Sequence, residues 1–224
     1  MELWADILGP GANNAVPAAI NVGTMNEVNA DAISVANPTW HGTPWEGSSG
    51  LAGALIGDQS MNPPAQIRIG KMNFSIPDIP SPLPTGNGID LVGTLYHEMG
   101  HALGISSLAL VGEDDDGNPV YGFDTEISPW DRHLVDRYGV TPTTDMEVVR
   151  SEPETAPGAD PVFTVGEMTE SGVLFKGTHV SEVLAGALNG GLPIEGFEGD
   201  SLDLSHIELD RSLMSHQDYR NYQV

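Results

Sequence analysis

The chain has 224 residues, which suffices for one sizeable core but not for several independent domains. Its 32 acidic residues against 8 Lys and Arg give a formal charge of -24, which would repel nucleic acid and anionic lipid surfaces. The absence of cysteine excludes disulfides and thiolate metal sites. We therefore expect a single catalytic domain over residues 1–224, with no nucleic-acid partner. We expect no membrane insertion either, because no apolar run approaches the roughly 20 residues that a spanning helix needs.

The first part of the chain predicts a small sheet. Residues 2–8 resemble the end of an amphipathic helix, which suggests that the sequence is a piece of a longer protein. Runs at 18–22, 32–35 and 66–69 have the β-branched character of short strands. The proline-rich stretch at 76–88 predicts an extended crossing of the surface.

A central helix is predicted next. Asp90 is a suitable N-cap and Gly104 a natural C-terminal stop. Between them, apolar residues recur at helical spacing, namely Leu91, Val92, Leu95, Tyr96, Met99, Ala102 and Leu103. Such a helix is apolar enough to pack against the core.

The rest of the chain predicts a looser arrangement. A second helix is expected from Ser128 to Tyr138, ending at Gly139, and a third at 178–188. The acidic loop at 112–118 predicts either a solvated hairpin tip or a calcium site that uses Asp114, Asp115 and Asp116. Within the second helix, Asp131 and His133 suit capping and surface pairing, or the orientation of a metal ligand.

The central helix carries the HExxH arrangement, with histidines at 97 and 101. Residues four apart project from one face of a helix, so His97 and His101 can share one metal ion. Glu98 lies about 100° around the helix from His97, where it can reach a water at the metal without being a ligand. Zinc lowers the pKa of water toward about 7, so this carboxylate is predicted to act as the general base.

A catalytic zinc usually takes three protein ligands, so a third is required. The spacing leaves the choice open among the five remaining histidines, which are His41, His133, His179, His206 and His216. In another class of zinc enzyme the third ligand is acidic, and Asp124 or Glu126 would then be the candidate.

Residues 97–104 resemble the motif of the metzincin metallopeptidases, which continues as HExxHxxGxxH. Ser107 stands where that motif has its third histidine, and this departure is similar to the leishmanolysin branch, in which a long insertion precedes the last histidine. Residues 205–206 and 211–216 resemble the third histidine and the Met-turn of that branch. The resemblance implies that His206 is the third zinc ligand and Met214 the Met-turn methionine.

The resemblance also implies a role for His216. In several metzincins a tyrosine two residues after the methionine hydrogen-bonds the zinc or the intermediate, and His216 occupies that position. An imidazole there is expected to donate a hydrogen bond to a developing oxyanion, unless it is an exposed polar residue of the turn. Leishmanolysins are rich in cysteine, whereas this chain has none. The chain is therefore expected to be a distant bacterial relative of secreted or autotransporter type.

The implied fold is α+β and metzincin-like. A small mixed sheet packs on the HExxH helix in an N-terminal lobe at 1–104, and an irregular, loop-rich C-terminal lobe at 105–224 supplies the third ligand and ends in the Met-turn. The expected function is a zinc metalloendopeptidase, extracellular or at the cell surface, acting on a protein or peptide substrate. The alternative is a catalytically silent, metal-stabilised adhesion or binding module, against which the intact Glu98 argues.

Overall fold

The computed structural model describes residues 20–24, 34–37, 65–70, 74–75, 89–125, 127–150, 160–168, 172–177, 180, 182, 184, 187–209 and 212–215. The chain divides into two compact units, Met1–Ile105 with Arg211–Val224, and Ser106–Asp210. Helix and small sheets occur together, so the predicted α+β class is confirmed. The predictions for 2–8 and 76–88 lie outside the described residues. None of the helices described here is long and apolar enough to cross a bilayer.

Three short strands form the first sheet of the first unit. They are β1 (Ile20–Thr24), β2 (Ser34–Asn37) and β3 (Ala65–Ile69). The order is β1-β3-β2, and the central β3 runs parallel to β1 and antiparallel to β2. The three predicted strands are therefore confirmed, with small shifts at their ends. A second parallel pair joins β4 (Phe74–Ser75) to β5 (Ile89–Asp90).

The helix α1 (Leu91–Leu103) begins directly after Asp90 and ends directly before Gly104, as predicted. It packs against β2 and β3. Its buried face includes Thr94, His97, Glu98 and Ala102. His97 and Glu98 therefore lie on the buried face of the helix, whereas Val92 of the predicted apolar stripe is exposed.

The second unit is built from strands of two to five residues. They are β6 (Leu110–Glu113), β7 (Pro119–Phe123), β8 (Leu134–Val135), β9 (Met146–Val149), β10 (Phe163–Thr164), β11 (Leu174–Phe175), β12 (Leu192–Pro193), β13 (Phe197–Glu198) and β14 (Ser201–Leu202). They form sheets of order β10-β9-β7-β6, β12-β11-β8 and β13-β14.

Aromatic side chains hold this unit together. Phe123 and Phe163 are fully buried and meet edge to face, with ring centroids 5.9 Å apart. Trp130 stacks on Phe175 at 4.3 Å, and its indole N–H donates to the carbonyl of Leu204 at 2.7 Å. Large aromatic rings bury much area per residue, so they can support a core that contains little regular structure.

The predicted second helix at 128–138 is wrong. Ser128 and Asp131 do form the reciprocal pair of a helix start: the Asp131 N–H donates to Ser128 Oγ and the Ser128 N–H to Asp131 Oδ2, both at 2.9 Å. Only a 3-10 turn follows, Asp131–His133. Leu134 is already extended, with φ -75° and ψ 140°, and pairs with β11. Strand pairing with a distant segment therefore overrides the local start signal.

The predicted third helix is confirmed where it is described. Val180, Glu182 and Leu184 are helical, and a 3-10 turn over Ala187–Gly190 follows. The other residues of the predicted 178–188 segment before this turn lie outside the described part of the chain.

The acidic loop forms the tip of the β6–β7 hairpin. The Asp114 carboxylate accepts the backbone N–H groups of Asp116 at 2.9 Å and of Asn118 at 2.8 Å. The side-chain hydrogen bond from Asn118 lowers the pKa of Asp114. These bonds and the exposure of the loop agree with the solvated hairpin tip. The calcium site at Asp114, Asp115 and Asp116 stays a prediction.

The buried carboxyl of Asp131 makes the stability of the second unit depend on pH. Its side chain is 0% exposed, and Oδ2 accepts the N–H groups of Leu108 and Ser128. Burial raises the pKa of the Asp131 carboxyl above its ordinary value of 3.8. The folded chain therefore takes up this proton more readily than the unfolded chain. The carboxyl stabilises the fold at pH values below 3.8, and this contribution is lost as the pH rises through the raised pKa.

We expect Asp131→Asn to remove this pH dependence, because an amide oxygen can accept both N–H groups without a charge. In urea unfolding from pH 3 to 7, the free energy of unfolding of the variant should increase relative to that of the wild type as the pH rises, because only the wild type loses the Asp131 contribution. Asp116→Asn, an exposed position, should follow the wild type. A constant difference between Asp131→Asn and wild type across this range would contradict the assignment.

Candidate metal centre

Helix α1 brings the two motif histidines together. The Nε2 atoms of His97 and His101 are 3.1 Å apart, and the ring centroids are 4.7 Å apart with the planes at 87°. His97 is 3% exposed. The two imidazoles, one helical turn apart, thus bring their Nε2 atoms together, as the binding of one shared metal ion would require.

The other nitrogen of each ring faces a backbone carbonyl. His97 Nδ1 lies 2.8 Å from the carbonyl oxygen of Leu213, and His101 Nδ1 lies 2.6 Å from that of Ile105. A carbonyl oxygen only accepts, so both Nδ1 atoms must carry the hydrogen. In the neutral rings, Nε2 is then the bare nitrogen with its lone pair, which is the tautomer that binds a metal.

Two lone pairs that face each other at 3.1 Å repel unless a cation lies at the point they share. A proton or a metal ion can fill that role. At Zn–N distances of about 2.0–2.1 Å, a tetrahedral angle separates two ligand nitrogens by about 3.3 Å. The observed separation is close to this value, so the donor atoms fit a zinc ion.

The glycine after the helix produces one of the two carbonyl contacts. The Gly104 N–H donates to the His101 carbonyl at 2.9 Å and the Ile105 N–H to the Gly100 carbonyl at 3.1 Å, which is a Schellman C-cap. Gly104 has φ 112°, a conformation that favours glycine. The resulting reversal of the chain directs the Ile105 carbonyl back to the His101 ring.

A turn at residues 212–215 produces the other contact. The Ser215 N–H donates to the Ser212 carbonyl and the Met214 N–H to Ser212 Oγ, both at 3.2 Å. The Leu213 carbonyl between them accepts from His97, and Met214 is 3% exposed. Sequence reasoning selected Met214 but missed the Leu213 carbonyl, because a backbone acceptor leaves no signal in residue type.

In the second unit, His206 lies beside two carboxylates. Its Nδ1 is 2.6 Å from Asp203 Oδ2, and one ligand atom each of Glu195, Asp203 and His206 lie within 4.8 Å of one another. The bridge between Ile194 and Ile207 and the bond from the Glu195 N–H to the His206 carbonyl hold the two segments together. Sequence reasoning missed both acids, although an Asp three residues before a candidate ligand was a usable signal.

His97 and His101 of the first unit and His206 of the second unit are each candidate metal ligands. Glu98 is buried on the same helix as the first two. His133 is not one of these three and lies on a 3-10 turn, where its ring contacts Phe175 edge to face. Asp124 is exposed, and its carbonyl accepts the Asp145 N–H. The remaining candidates lie outside the described residues; they are His41, Glu126, His179 and His216.

Comparison with known proteins returns no relative: no family model, no curated protein and no solved structure matches this chain.

Gly104→Ala tests the link between the helix end and the His101 ring. A side chain at φ 112° is expected to cost about 1–3 kcal/mol and to displace the Ile105 carbonyl. Zinc affinity, measured by chelator competition, should fall together with the free energy of unfolding.

Gly117→Ala is the matched control, because Gly117 has φ 81° at the hairpin tip and an added Cβ there meets no atom within 4 Å. It should lose stability but keep the zinc affinity of the wild type. Equal zinc affinity in the two variants would contradict a role of Gly104 at the metal centre.

Proposed function

We propose that this chain is a zinc-dependent metalloendopeptidase of the metzincin type, similar to the leishmanolysin branch. The observation that carries the proposal is the pair of Nε2 atoms 3.1 Å apart, each made a lone-pair donor by a carbonyl at its own Nδ1. Such a pair requires a cation, and zinc has the matching ligand preference and distance.

His206 is the proposed third ligand. It is a candidate metal ligand, and its Nδ1 lies 2.6 Å from Asp203 Oδ2. Nε2 is therefore its ligand atom, as in the other two rings. Three neutral ligands would leave one coordination position of a bound zinc ion for water or for a substrate carbonyl, as catalytic rather than structural zinc requires.

A zinc ion held in this way supplies Lewis acidity, which polarises a peptide carbonyl and makes water more acidic. The proposed general base is Glu98, which follows His97 on α1 and is 5% exposed. Its carboxylate removes a proton from the attacking water and passes it to the nitrogen of the leaving amine. A buried carboxylate next to a ligand has this role in catalysis, whereas a structural metal site needs no base.

The proposal extends to three further features. Met214, buried in the turn whose Leu213 carbonyl holds His97, corresponds to the Met-turn methionine. His216, two residues later, is proposed to donate a hydrogen bond to the developing oxyanion. The substrate is a protein or peptide, and the enzyme is secreted or displayed at the cell surface, for which the acidic composition is suitable.

Glu98→Gln tests catalysis separately from metal binding. The amide keeps the shape of the side chain but cannot take a proton, so hydrolysis of casein or gelatin should fall by about 10² to 10⁴-fold. Bound zinc, measured by elemental analysis, should stay at the level of the wild type. Glu113→Gln, the same substitution on an exposed strand, should leave both unchanged.

A wild-type protein that binds zinc but cleaves neither substrate would favour the silent binding module. Activity retained in Glu98→Gln would exclude Glu98 as the base.

His206→Ala tests the ligand set. Zinc affinity should fall by more than the about 10- to 100-fold that loss of an outer hydrogen bond costs. Asp124→Ala should keep its zinc, because Asp124 is exposed and belongs to neither candidate metal group of the described residues. The reverse result, zinc lost in Asp124→Ala and kept in His206→Ala, would replace the metzincin assignment with another class of zinc enzyme.

A further inference from the structure

The partner of His206 differs in charge from those of the other two imidazoles. His97 and His101 each donate to a neutral backbone carbonyl, whereas His206 Nδ1 lies 2.6 Å from a carboxylate oxygen of Asp203. A hydrogen bond to a charged acceptor is roughly twice as strong as one between neutral groups. Both side chains are mostly shielded, at 14% and 23% exposure, so water competes little for this bond.

Asp203 is itself fixed from two sides. Its Oδ1 accepts the Ser205 N–H at 3.0 Å, and its own N–H donates to the Gly196 carbonyl at 3.0 Å. Gly196 lies so close to Gly166 that an added Cβ would clash with the Gly166 carbonyl oxygen. The carboxylate is thus held in one orientation, with one oxygen for the backbone and the other for the imidazole.

We infer that Asp203 is a positioning residue, which fixes His206 in the Nδ1–H tautomer and so presents Nε2 to the metal. The inference rests on the proposed function for the identity of the third ligand. Buried carboxylate partners of this kind orient ligand imidazoles and increase their basicity. Asp203 acts on the metal only through His206 and takes no part in proton transfer to the substrate.

The double acceptor role makes the carboxylate irreplaceable by an amide. In Asp203→Asn, one orientation offers oxygen to Ser205 and an NH2 group to His206, which forces the imidazole into the tautomer with hydrogen on Nε2. The other orientation offers oxygen to His206 but sets NH2 against the Ser205 N–H. Neither orientation satisfies both partners, because an amide has only one accepting atom.

The experiment measures zinc affinity by chelator competition and the visible spectrum of the cobalt-substituted protein, which reports ligand geometry. Asp203→Asn should bind zinc about 10- to 100-fold more weakly and should change the cobalt spectrum. Asp203→Glu, which restores a double acceptor, should recover part of both. Asp200→Asn, the same substitution at a side chain that is 91% exposed, should match the wild type.

The controls separate this inference from the proposed function. Wild-type affinity and spectrum in Asp203→Asn, with zinc lost in His206→Ala, would overturn the positioning role and leave the proposed function intact. Zinc retained in His206→Ala would instead refute the proposed ligand set. A double His97→Ala, His101→Ala variant that keeps zinc until Asp203 is replaced would make Asp203 a ligand, which would also overturn the positioning role.

Discussion

The candidate metal centre depends on a limit in the chemistry of a neutral imidazole, which has one N–H and one lone pair. When a carbonyl oxygen accepts the N–H of one ring nitrogen, the other nitrogen carries the lone pair. In this chain the limit acts on His97 and His101 together, and their lone pairs meet with 3.1 Å between the nitrogens. The arrangement is unfavourable by itself and becomes favourable with a cation, so the fold around α1 favours the binding of an ion.

The two carbonyls that impose this limit reach the helix by different routes. Ile105 follows the C-cap directly, so its carbonyl is placed by the local conformation of Gly104. Leu213 lies 116 residues from His97 in sequence, and a tight turn closed by Ser212 sets its position. One contact is therefore local and forms with the helix end, while the other requires that a distant segment has folded. Only the complete first unit orients both rings.

The same contrast between local and distant interactions explains what the sequence could predict. Helix α1, its cap at Gly104 and the first three strands follow from periodicity and residue type, and these predictions are confirmed. The strands of the second unit are mostly two residues long, and some of them pair with segments far apart in sequence, as β8 does with β11. Ser128 and Asp131 do form a helix start, yet β8 pairs with β11 and only a 3-10 turn follows.

The residues of the candidate site also differ in whether local sequence could predict them. A four-residue histidine spacing is visible in any sequence, so His97 and His101 could be predicted from local pattern alone. His206 required a resemblance to a family. Its partner Asp203 and the Leu213 carbonyl required coordinates, because a hydrogen-bond acceptor is recognised by position rather than by residue type.

The acceptors of the three rings differ in charge, and so does the backbone on which each ring lies. His97 and His101 lie on a helix of 13 residues, whose backbone already restricts their side chains to a few rotamers. His206 lies on a bend between β14 and the Ile207 bridge, outside any helix or strand, and its backbone is held by the bond from the Glu195 N–H. An imidazole on such a segment loses more conformational entropy when it is fixed. The charged acceptor Asp203 can offset that larger cost, whereas neutral carbonyls suffice for the two rings on the helix.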